Sequence, residues 1–130
     1  MMSAGAIAFG VILAVPYVMF ASRTRDYAWP FGLGLVAAAF VYVGFAAVAL
    51  DVRQLAVELG GLFLFGIVTV LGVRYSPYLL AGGWIAHVGW DVLLRSPSNL
   101  PWWYPPACVG FDLLVAGAIL GLTVRAHAQS

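Results

Sequence analysis

Residues 54–73 read QLAVELGGLFLFGIVTVLGV, and Glu58 is their only ionisable side chain. A helix needs about 20 mostly apolar residues to cross the hydrocarbon of a bilayer. This stretch meets that length and is expected to span a membrane. Turn-like residues bound it: Asp51-Val52-Arg53 before, Arg74-Tyr75-Ser76-Pro77 after.

Working outward, four more stretches of this kind appear, at residues 4–21, 30–50, 77–94 and 105–124. Ser22-Arg23-Thr24-Arg25-Asp26 separates the first two. The last break, RSPSNLPWWYPP at residues 95–106, is the longest. Its prolines forbid a continuous helix. Trp102, Trp103 and Tyr104 suit the headgroup interface, with the lid of a cavity as the alternative role. The first stretch lacks a basic leader and is read as a retained span, kinked at Pro16. Short turns make sequential helices antiparallel neighbours. The expected fold is all-α: a polytopic bundle of about five transmembrane helices, one domain over residues 1–130.

Composition agrees. Hydrophobic residues make up 64% of the 130 and charged residues 8%. Soluble domains carry about 25% charged residues. The expected partner is the lipid bilayer. A net charge of +1 gives no electrostatic case for nucleic acid. One cysteine excludes an intrachain disulfide. Arg23, Arg25, Arg74 and Arg125 fall on one side and Arg53 and Arg95 on the other. That asymmetry favours an outside N-terminus and a cytoplasmic C-terminus. Gly117 and Gly121 form a G-x-x-x-G pair, a signal for a homodimer or close packing.

Residues 83–91, GWIAHVGWD, place His87 and Asp91 one turn apart inside the fourth span. Cys108 and Asp112 repeat that spacing in the fifth. A charge at mid-bilayer costs at least about 2.5–3.5 kcal/mol, so such residues are usually functional or tightly paired. Glu58, Asp91 and Asp112 all lie about 6–10 Å below one surface, at 1.5 Å per residue. His87 is a turn deeper, and Tyr42 reaches a similar depth. At about 100° per residue, Leu80, Trp84, His87 and Asp91 form one stripe. Cys108 and Asp112 share a face with Val115 and Ile119; Glu58 shares one with Gly61, Phe65 and Thr69. Gly82, Ala86 and Gly89 lie opposite the His87 stripe and are expected to admit a close neighbour. Gly110 is expected beside Gly117 and Gly121. The three polar faces are expected to meet in one cavity.

Each residue also has a plainer role. Asp91 can pair with Arg95. His87 can bond a carbonyl or Asp112 as interhelical glue. Cys108 can simply pack. Glu58 can cap its helix or pair with Arg53. Trp84 and Trp90 can be ordinary bundle or interface aromatics.

Over residues 80–116 the chain resembles a family of small bacterial and fungal multi-pass membrane proteins without an assigned function. Members show G-W-x-x-H-x-G-W-D on one helix and C-x-x-x-D on the next, after a proline-containing loop. The matching residues are Gly83, Trp84, His87, Gly89, Trp90 and Asp91, then Cys108 and Asp112. The family often has histidines just after W-D-x-x; Leu94 and Arg95 stand there instead, which weakens a metal site. The resemblance implies a small helical membrane protein and no activity.

Several functions remain open. An acid–base isomerase or cyclase acting on an isoprenoid- or sterol-like substrate would use Asp91 or Asp112 as acid, His87 as partner and Glu58 as a further carboxylate. Trp84, Trp90, Tyr42 and Cys108 would line its substrate site, the indoles stabilising cations. A proton-coupled carrier would use the same groups as a relay. A metal protein would ligate through His87, Asp91, Cys108 and Asp112. A structural or accessory subunit would use them as glue. No nucleotide loop or hydrolase triad appears, and no cofactor is expected.

Overall fold

The structure, a computed structural model, describes residues 4–93 and 101–129. It contains α1 (Ala4–Ser22), α2 (Ala28–Val48), α3 (Val52–Arg74), α4 (Pro77–Leu93) and α5 (Tyr104–Gln129). The expected pairing of Asp91 with Arg95 lies outside the described residues. α1, α2, α3 and α5 are each long and apolar enough to cross a membrane. α4 has 17 residues, at the lower limit of the ~17–25 a span requires. Phe20, Leu33, Phe40, Phe63 and Val70 face outward. Apolar side chains thus cover the exterior of a multi-pass, all-α membrane protein.

The turns follow from local chemistry. α2 ends with Leu50 N–H bonded to the Ala47 carbonyl and Asp51 N–H to the Ala46 carbonyl. This paired closure puts the residue after the cap in the left-handed region, where glycine is usual. Here that residue is Leu50, at φ 56°. Asp51 then caps α3, its carboxylate accepting from Gln54 N–H at 3.0 Å. At the next turn the Ser76 hydroxyl accepts from Tyr78 N–H, and Pro77 opens α4 where its missing N–H costs nothing.

α4 is the central helix, packed against α5, α3 and α2. Its buried residues, Leu80, Trp84, His87 and Asp91 among them, are the stripe expected from the sequence. α3 buries Glu58, Gly61, Phe65 and Thr69, also as expected. α1 leans on α5 while α2 leans on α3. α1 and α2 meet through Tyr17, whose hydroxyl donates to the Pro30 carbonyl at 2.6 Å and whose ring sits against Phe31.

Two expectations about small residues need correction. Gly82 and Gly89 admit no close neighbour: nothing lies within 4 Å of where a Cβ would stand. They face outward because α4 meets all its partners through the other side. Gly110 does not share the environment of Gly117 and Gly121. A side chain at Gly110 would collide with the Ile7 backbone, and one at Gly10 with the Ala107 backbone. These two glycines bring the α1 and α5 backbones into contact. Gly117 and Gly121 face open space.

Gly110→Leu is expected to lower stability by about 1–3 kcal/mol or to block folding, as overpacking does. Gly82→Leu, with open space before it, should leave the thermal midpoint in detergent nearly unchanged. Leu50→Gly should raise stability by about 1 kcal/mol by relieving the left-handed backbone. The same unfolding measurement checks all three.

Candidate functional site

Helical periodicity turns His87 and Asp91 inward from α4 and Asp112 inward from α5. His87 and Asp91 are 0% exposed and Asp112 1%. His87 Nδ1 shares a 2.8 Å hydrogen bond with Asp112 Oδ2, and the same nitrogen lies 3.5 Å from Asp91 Oδ1. One imidazole nitrogen therefore serves two carboxylates. Phe65 meets the His87 ring edge-on at 5.0 Å between centroids, and Tyr42 lies at 5.9 Å. Both Asp91 oxygens, His87 Nε2 and the Tyr42 hydroxyl are buried without a hydrogen bond of standard geometry. Such groups are rare in folded proteins, and each calls for an explanation. Tyr42 faces Asp91 and Cys108, and Cys108 lies beside Tyr104.

The structure divides the residues expected at one site. Glu58 stands apart, accepting from the Trp90 indole N–H at 2.6 Å and from Gln54 Nε2 at 2.7 Å. It neither caps α3, a role Asp51 holds, nor joins the His87 cluster. Trp90 lies over Gly61 and meets Phe65 edge-on at 5.7 Å. The Trp84 indole donates to the Phe31 carbonyl at 3.2 Å. Both indoles thus tie α4 to its neighbours. The three ligand-type groups that converge are His87, Asp91 and Asp112, without Cys108.

A cavity of about 330 Å³ lies beside this cluster, between α1, α2 and α5. Sequence reasoning expected a cavity enclosed by α3, α4 and α5. It lies elsewhere because α1 and α2 lean on different partners and leave a gap. Leu13, Ala38, Val41 and Phe111 form apolar walls, and Tyr17, Trp103 and Tyr104 add aromatic ones. Of the residues expected at the site, Asp112 and Cys108 reach it. Leu13 (49% exposed) and Val41 (37%) also belong to the outer surface, so the cavity opens sideways onto the apolar exterior of the bundle.

Tyr17 and Phe111 were not singled out from the sequence. Their rings stack at 5.6 Å, with Tyr17 bridging α1 to α2. A tyrosine in the middle of an apolar span was the available signal. Compared with protein-family models, curated proteins and solved structures, the chain matches none of them.

Removing one member of a buried ionic cluster strands the others, at a cost of about 3–5 kcal/mol. His87→Leu should therefore destabilise the protein strongly. Replacing His87, Asp91 and Asp112 together by leucine should recover most of that loss. Unfolding in detergent distinguishes this from glue, for which the triple variant would be the least stable.

Proposed function

We propose that the protein is an intramembrane acid–base catalyst acting on a lipophilic substrate, as an isomerase or cyclase does. One observation carries this reading: Asp112 bonds to His87 on one side and forms part of the wall of a lipid-facing cavity on the other. A net charge buried in hydrocarbon is costly. The cluster avoids one when two dissociable protons are shared among its imidazole and two carboxylates. Asp112, hydrogen-bonded to His87, holds one of these protons at the cavity wall, with Asp91 beside the same imidazole nitrogen. A proton donor facing an apolar, water-poor space is what proton transfer to a lipid requires. Tyr42 and Cys108 border this relay, while Trp84, Trp90 and Glu58 hold the helices that carry it.

On this reading the motif shared with the resembled family is the site together with its scaffold. The arginine asymmetry favours a site near the outer face, with the C-terminus cytoplasmic. Gly117 and Gly121, facing outward, are free to support a homodimer.

Proton transfer to lipid is measurable without a known substrate. Purified protein in vesicles of extracted lipid, held in heavy water, should introduce deuterium at carbon into a lipid fraction. Asp112→Asn should abolish this while the protein stays folded. Incorporation no greater than in protein-free vesicles would remove the proposal.

A metal centre is the second reading, favoured by Asp91 oxygens that are buried without a hydrogen bond of standard geometry. His87, Asp91 and Asp112 each offer a ligand atom, all within 4.8 Å of one another. These types suit zinc or a similar divalent ion. Elemental analysis after metal-replete growth separates the two. The acid–base reading expects well under one metal per chain; one equivalent that survives chelation favours the metal.

A further inference from the structure

The cavity also limits what can reach Asp112. At about 330 Å³ it is at the small end of the ~300–1,000 Å³ range of ligand pockets, which suits a slender chain end better than a four-ring skeleton. Its sideways opening lets a longer molecule leave its remainder in the bilayer, so a chain entering end-first fits and a rigid polycycle does not.

Chemistry narrows the choice further. Among the described residues, Asp112 is the only carboxylic acid in the wall. A saturated acyl chain gives such an acid nothing to protonate. A trisubstituted alkene accepts the proton and forms a tertiary cation. Tyr17 and Phe111, stacked beside the cavity, offer aromatic faces to such a cation.

We infer that the cavity receives the end of a linear prenyl lipid, with a carbon–carbon double bond held against Asp112. This rests on the acid–base reading above. In the step, the Asp112 O–H bond breaks, a C–H bond forms and the π bond is consumed. The cation then loses a proton from a neighbouring carbon to the Asp112 carboxylate, forming a displaced double bond. Protons and electrons balance without an oxidant or cofactor. Deuterium at carbon is the trace this cycle leaves in heavy water.

The occupant can be tested apart from the chemistry. The probe is a fifteen-carbon prenyl alcohol bearing a diazirine at its chain end, in phosphatidylcholine vesicles with the purified protein. Irradiation should place adducts on peptides containing Leu13, Ala38 or Phe111. Unlabelled farnesol should reduce them at least tenfold, and cholesterol should not. Ala38→Phe, which fills the cavity, should lower labelling by a similar factor. Val41→Trp repeats the test from the outer wall if Ala38→Phe lowers the thermal midpoint. Asp112→Asn should keep the labelling and lose deuterium transfer. Labelling without deuterium transfer in the unaltered protein keeps the occupant and overturns the acid–base reading. Adducts spread evenly over the lipid-facing helices, or equal competition by cholesterol, overturn the occupant.

Discussion

The hydrogen bond between His87 on α4 and Asp112 on α5 joins the two helices at a depth where lipid offers no replacement partner. Hydrocarbon cannot solvate a polar group, so each must be satisfied from within the bundle. Once His87 and Asp112 face each other, the rotation of both helices is set. Leu80 and Trp84 then turn inward along α4, and Val115 and Ile119 along α5. The outward faces become free to be glycine, alanine or leucine. Asp91, sharing the same imidazole nitrogen, holds the cluster one carboxylate beyond what this join requires.

The two tryptophans beside the motif work differently from the imidazole between them. Each has one N–H, and each spends it on a neighbouring helix: Trp84 on the α2 backbone, Trp90 on Glu58 of α3. α4 is thereby pinned on three sides by polar contacts inside an apolar bundle. The shortest helix of the bundle, already packed against three others, gains a fixed rotation from them. The placement of His87 against Asp112 depends on that fixity, since a hydrogen bond weakens steeply as it lengthens.

Much of this was legible in the sequence, and the boundary has a physical basis. The ends of α1 to α4, the His87 stripe and the Glu58 face follow from hydrophobic length and a period of 3.6, which are local properties; α5 runs on to Gln129, past the expected end at residue 124. Depth matching placed Glu58, Asp91 and Asp112 on one level, and that level holds only two of them in one cluster. Depth says nothing about which helices adjoin, so Trp90 was free to claim Glu58. The cavity was illegible for the same reason. It exists because α1 chooses α5 and α2 chooses α3, and pairwise choice between apolar helices is made by shape, not by hydropathy. Gly10 and Gly110 make that choice through missing side chains, which a pattern of apolar residues hides. Gly82 and Gly89 show the opposite case, small residues that no neighbour uses.

The contact of Gly10 with Ala107 and of Gly110 with Ile7 has a consequence for how the bundle is assembled. A ribosome delivers α1 well before α5. α1 therefore enters the membrane without its principal partner and waits through the synthesis of three further helices. During that interval its interface is exposed to lipid or to the insertion machinery. The cavity wall closes only when α5 arrives, so the site comes into being after four helices have been made rather than growing with the chain.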